Sequence, residues 1–142
     1  MKRPGSSLVE TVIALALIGF LIYAGAVSVQ GLIPKFQLQS AVWAVTTGLN
    51  RARFRAIWRG EAARISFNVS GFVQERYDEA RRAWAAEWTT SLPGVNIQAT
   101  NAPVFHPAGT VSDLASITVS NRRGAYRISV AISGRVRTVK TG

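Results

Sequence analysis

The chain has 142 residues, 48% of them apolar, with 17 Lys and Arg against 7 Asp and Glu for a formal charge of +10. That length holds one small domain beside a long apolar segment. The charge draws the chain toward polyanions such as nucleic acid or anionic lipid headgroups, although an arginine-rich surface without a partner accounts for it equally. There is no cysteine and a single histidine, His106, which excludes disulfides, thiolate metal sites and any metal cluster built on several histidines.

At the N-terminus, Lys2 and Arg3 precede Gly5, and Glu10 stands at the start of an uncharged stretch from Thr11 to Pro34. As a helix this stretch is ~36 Å long, enough to cross a hydrocarbon core of ~30 Å. A cleaved secretory signal would use Ala24-Gly25-Ala26 as its small-x-small site, but such signals carry only about 7–15 apolar residues. A plain signal anchor would leave Glu10 at headgroup level. A carboxylate centred in a bilayer costs about 2.5–3.5 kcal/mol, so one sunk into an apolar helix calls for a cationic partner. The basic leader and the spacing Gly5-x-x-x-x-Glu10 resemble the prepilin signal of type IV pilins and type II secretion pseudopilins. The resemblance implies an inner-membrane helix and removal of residues 1–5 by a prepilin peptidase. It also implies a new N-terminus at Ser6, the N-methylated position of that family, and pairing of Glu10 with a subunit's N-terminal amine during assembly. Ser6 stands where the family usually carries an aromatic residue or Met. Loss of Lys2 and Arg3 would leave a charge of +8.

Beyond Gly31 and Pro34, which should weaken or kink the joint, apolar residues recur at Leu38, Val42, Val45, Leu49, Ala52 and Ala56, one face of a helix ending near Gly60. Arg51, Arg53, Arg55 and Arg59 fall off that stripe. The period then changes to two. Strands are predicted at 64–69, 72–77, 95–99, 116–119, 125–132 and 135–139, with turns at Ser70-Gly71, Leu92-Pro93-Gly94 and Ser133-Gly134. Residues 105–109 read as a loop. The stretch Glu79–Trp88 is rich in helix formers, with Trp84 and Trp88 at i, i+4, and reads as a short helix or irregular connection.

Leu92-Pro93-Gly94-Val95, Phe105-x-Pro107-x-Gly109 and the ending Gly134-Arg135-Val136-Arg137, added to the N-terminal signal, resemble the GspH/FimT group of minor pseudopilins and minor pilins over essentially the whole chain. Each motif also sets a turn in its own right. The expected fold is α+β and pilin-like, a long N-terminal helix packed on a small antiparallel β-sheet or sandwich. The leader would occupy 1–5, the transmembrane and assembly helix 6–34, its amphipathic continuation 35–60 and a periplasmic β domain 61–142. The resemblance implies other pilins or pseudopilins as partners, placement at a fibre tip or initiating complex, and no catalysis or cofactor.

The residues themselves offer little chemistry. His106, between Phe105 and Pro107, reads as turn packing, and Glu75, Asp78 and Glu79 sit among Arg76, Arg81 and Arg82 as a charge cluster. The sharper candidate is DNA. Arg122, Arg123, Arg127, Arg135, Arg137 and Lys140 cluster near the C-terminus, Arg135 and Arg137 share a strand face, and Tyr126 is a candidate stacking platform. FimT-like minor pilins are associated with DNA uptake through a Gly-Arg-x-Arg element of this kind. A purely structural arginine face and a DNA-binding one both stay open at this point.

Overall fold

A computed structural model describes the backbone of residues 8–142 and the side chains within it except those of 26–30. The chain divides into two compact units, with the boundary between Ile33 and Pro34. The first contains helix α1 (Leu8–Gln30). It is apolar all round rather than amphipathic, and none of the side chains of Leu8–Gly25 is buried, the character of a helix that finds its apolar surroundings outside the chain. By length and composition this helix can cross a membrane. A turn at Gly31–Leu32 ends it.

Helix α2 (Ile33–Arg59) begins immediately after. Pro34 lies in its first turn, where the missing N–H would have had no helical partner. The proline therefore opens a helix rather than kinking one. In the second unit α2 buries Leu38, Ala41, Val45, Leu49, Ala52 and Ala56, the stripe expected from their spacing with Ala41 added and Val42 at its half-buried margin.

Two antiparallel sheets complete the unit. The first has strand order β3-β2-β1-β5-β6 and the second β4-β7-β8-β9, with β1 (Ala63–Asn68), β2 (Gly71–Asp78), β3 (Ala83–Ser91), β4 (Asn96–Ala99), β5 (Val104–Phe105), β6 (Val111–Ser112), β7 (Ser116–Asn121), β8 (Gly124–Val130) and β9 (Val136–Lys140). Backbone bonds tie the sheets together: Ile97 N–H donates to Val69 O and Val111 N–H to Ile132 O, both at 2.9 Å. Ile65 and Phe105 from the first sheet and Ile117, Val119 and Ile128 from the second join the α2 stripe in one fully buried core. Gly48 sets the approach of helix and sheet. A Cβ there would lie 2.7 Å from the Phe72 ring, so only glycine lets β2 come this close to α2.

Two predicted elements are corrected. Glu79–Arg82 form a turn in which Arg82 adopts φ +50°, and the expected helix is strand β3. Helix propensity is worth only tenths of a kcal/mol per residue, and here edge pairing to β2 and side-chain contacts override it. The Trp84 ring meets Tyr77 edge-on with centroids 5.4 Å apart, and the Arg64 guanidinium lies 4.5 Å from the Trp84 centroid. A bulge between Gln74 and Glu75 leaves Glu87 unpaired in the register and reverses the alternation beyond it. Trp88 thus turns to the α2 side, where Arg51 lies 4.8 Å over its ring. The second correction is Phe105, since 106–109 form the expected loop. Phe105 belongs to β5, which pairs with β1 and with β6; strands of two residues carry no period to read.

Candidate functional site

Three regions carry the candidate residues. Glu10 lies in the first turn of α1 and is exposed, where a carboxylate is favoured by the helix dipole. Gly5 and Ser6, the expected cleavage junction, lie outside the described residues.

The basic residues near the C-terminus do not form one cluster. Register pairs Arg127 with Val139 and Ser129 with Arg137, so Arg127 and Arg137 share the outward face of the second sheet as diagonal neighbours, about 7–8 Å apart between Cα atoms. Arg135 precedes β9, and its carbonyl accepts a bond from Ala131 N–H at 2.9 Å. Arg135 and Arg137 line one shallow groove with Ser129, Val130 and Ala131. All three arginines are exposed. Tyr126 and Lys140 face each other in the register and point to the opposite side of the sheet, where Tyr126 is half-buried against the core. The expected stacking platform is therefore turned away from Arg127. Arg122 and Arg123 form the β7–β8 turn at the end of β8 remote from Arg135, about 20 Å away at the strand rise.

The glycine and the arginines of Gly134-Arg135-Val136-Arg137 have separate roles. Gly134 is buried at φ +76°, and a Cβ there would lie 2.5 Å from Arg53 Nε and 2.8 Å from Gly109 O. Arg53 reaches under this turn and donates from Nη1 to Gly134 O at 3.5 Å. Packing demands the glycine; nothing in the fold demands the two arginines.

The other ionic groups are structural. Arg55 bonds Glu87, Arg76 approaches the same carboxylate at 3.6 Å, Arg64 bonds Glu75 at 2.6 Å and Arg81 lies 3.8 Å from Asp78. Every one of these carboxylates belongs to the first sheet, and none of the pairs includes Arg122, Arg123, Arg127, Arg135, Arg137 or Lys140. His106 Nε2 lies 2.9 Å from Ser112 Oγ, closing the turn in which Gly109 N–H donates to His106 O. Among the described residues no group of His, Asp and Glu could hold a metal ion.

One surface escaped the sequence reading. Phe36, Trp43, Phe54 and Trp58 on α2 are 63%, 71%, 68% and 77% exposed. At about 100° per residue they fall within an arc of roughly 60°, directly opposite the buried stripe. With about 150–250 Å² per aromatic side chain, they expose roughly 550 Å² of apolar surface in all, Phe36 and Trp43 toward one end of the helix and Phe54 and Trp58 toward the other. The spacing signal was present, a second apolar stripe half a helical turn out of phase with the first.

No protein-family model matches the chain, and no curated protein matches its sequence. Solved structures do match. The minor pseudopilin EpsH from the type 2 secretion system of Vibrio cholerae aligns with a TM-score of 0.64 at 13% identity, over 75% of this chain and 98% of EpsH. The type IV minor pilin FimU of Pseudomonas aeruginosa aligns in one crystal form with a TM-score of 0.62 at 16% identity, over 74% of this chain and 90% of FimU. A second crystal form of FimU gives a TM-score of 0.58 at 17% identity, over 71% of this chain and 91% of FimU. The chain therefore has the pilin-like fold of minor pseudopilins and minor type IV pilins, the fold expected from its motifs.

Proposed function

We propose that this chain is a minor pilin or pseudopilin of the GspH/FimT type, a structural subunit of the tip or initiating complex of a type IV pilus or type II secretion pseudopilus. The observation that carries the reading is the pairing of a minor-pilin fold with an unburied, membrane-length apolar helix that holds one carboxylate, Glu10, in its first turn. The helix anchors the chain in the inner membrane with unit 34–142 in the periplasm. A prepilin peptidase cuts after Gly5, and Glu10 then neutralises the amine of a Ser6 N-terminus within the bundle of subunit helices. The aromatic stripe of α2 supplies apolar area for contacts with other pilins. Co-expression with a prepilin peptidase should remove Met1–Gly5, read by intact mass; an unshortened chain, or one starting at Val27, sinks this reading. Glu10→Leu should still insert in the membrane and fail to join the fibre, because a buried charge left without its partner is strongly destabilising.

DNA binding is the second reading, favoured by one observation: Arg127 and Arg137 share an exposed sheet face, Arg135 lines a groove with Arg137, and all three take part in no ion pair among the described residues. Such a face grips phosphates without reading bases, as in capture of DNA for uptake during natural transformation. The fragment 34–142, a compact unit by itself, should bind duplex DNA with a log–log salt slope of about −0.9 per phosphate contact. Arg135→Gln with Arg137→Gln should flatten that slope by roughly two. An unchanged slope, or no binding by wild type at low salt, leaves the arginines as surface or subunit-contact charges.

A further inference from the structure

Arg122 and Arg123, separated from the arginine face by the length of β8, occupy a different place in the fold. Asn121 Nδ2 donates to Pro34 O at 2.7 Å, and Arg123 N–H donates to Asn121 Oδ1 at 2.9 Å. One asparagine thus straps the two-arginine turn to the first turn of α2. Lys35, next to the anchored carbonyl, is exposed, as are Arg122, Arg123 and the adjoining Phe36. Arg122 lines a groove with Pro34, Gln37, Gly94 and Asn121. Pro34 lies only four residues beyond Gln30, the last residue of α1, a reach of at most about 14 Å of extended chain. Chain connectivity alone keeps Pro34, the residue to which the turn is strapped, within that reach of Gln30.

Among side chains, charge on this side is one-sided, with the backbone of Gly142 lying beside the turn and its oxygen accepting from Ala125 N–H at 3.3 Å. Among the described residues of the second unit, the acidic side chains are Glu61, Glu75, Asp78, Glu79, Glu87 and Asp113. Glu61 follows the far end of α2, and Glu87 pairs with Arg55 near that end. Glu75 pairs with Arg64, at the start of the strand that follows it. Asp78 and Glu79 end β2 and open its turn, and Asp113 adjoins β6, whose Val111 bonds the 131–135 turn. Among the described residues, no carboxylate side chain forms an ion pair with Lys35, Arg122 or Arg123.

We propose that Lys35, Arg122 and Arg123 form a foot that docks the domain on the anionic phospholipid headgroups around the exit of α1. The proposal rests on the reading of α1 as a bilayer-spanning helix. Juxtamembrane cations are attracted to anionic surfaces within a Debye length. The Asn121 strap gives the asparagine a purpose: it holds the turn at the level of the first residues of α2.

The test uses the full chain in neutral phosphatidylcholine vesicles and in vesicles carrying phosphatidylglycerol. The absence of native cysteine allows a single label at Gln39→Cys, one helical turn from Lys35, read by a headgroup-attached quencher. Quenching should be stronger in the anionic vesicles and should fall to the neutral level in molar salt. Arg122→Gln with Arg123→Gln should lower the docked-to-undocked ratio about thirtyfold, roughly fivefold per charge. Arg122→Lys with Arg123→Lys should keep docking, which separates loss of charge from damage to the turn. Quenching that ignores lipid charge and both double variants, in a chain that floats with either vesicle, overturns the foot and leaves the spanning helix intact. A chain that floats with neither overturns both. Displacement by inorganic phosphate beyond that by chloride at equal ionic strength assigns the site to a free phosphate anion and overturns the lipid assignment. Displacement by DNA in a wild-type but not an Arg127→Gln chain assigns the effect to the arginine face and likewise overturns it.

Discussion

The two sheets treat arginine in opposite ways. On the first, Arg64 and Arg76 are committed to Glu75 and Glu87, and Arg51 and Arg55 of α2 reach across to Trp88 and Glu87. On the second, Arg127, Arg135 and Arg137 stand in solvent without a carboxylate. The cause is the distribution of acids along the chain. From Thr89 to Gly142 there are six basic residues and one acid, Asp113, so the later strands cannot pair their arginines internally. The first sheet uses arginine to close itself onto the helix, and the second offers it outward. A cation with an internal partner belongs to the fold; one without is available to a polyanion.

That contrast can be broken in a graded way by unfolding fragment 34–142 in urea. Phe72→Ala should be the most damaging change, about 3–5 kcal/mol, because it empties the ring from the Gly48 notch that joins β2 to α2. A loss below 1 kcal/mol would mean the helix is not held by the first sheet. Glu87→Gln should cost about 1.5–3 kcal/mol, since it strips the negative charge from the half-buried group on which Arg55 and Arg76 converge. If the variant unfolds at the wild-type urea midpoint, the first sheet does not depend on its ion pairs after all. Gly134→Ala should cost about 1–2 kcal/mol through the left-handed backbone and the crowding against Arg53 and Gly109. Arg127→Gln, Arg135→Gln and Arg137→Gln together should change stability by less than about 0.5 kcal/mol while flattening the DNA salt slope by about 2.7. A large stability loss there would erase the distinction between the sheets.

Helix α2 shows the same division on a single element. Its Ala- and Leu-rich face is buried and its aromatic face is open, the reverse of the usual placing of the largest apolar groups. Small residues at Ala41, Gly48, Ala52 and Ala56 let two sheets approach the backbone closely. The bulky rings stand exposed on the opposite face.

Periodicity alone determined much of this protein. The membrane-length apolar run, the buried stripe of α2 and most of the strands were legible because each obeys a local period of 3.6 or 2 that burial then enforces. The turn glycines at Gly94, Gly109 and Gly134 were legible because few other residues accept positive φ. Tertiary structure decided the rest. The Glu79–Trp88 segment became edge strand because pairing with β2 outweighs weak helix propensity, and one bulged residue, Glu87, sent Trp84 and Trp88 to opposite faces. Register, which depends on strands far apart in the chain, split the C-terminal candidates into an outward arginine face, Lys140 exposed on the opposite side beside a half-buried Tyr126, and a turn tied to Pro34. Spacing along one strand reports which residues share its face. Only pairing with distant strands decides whether that face meets the core or solvent, and which charges find a partner there.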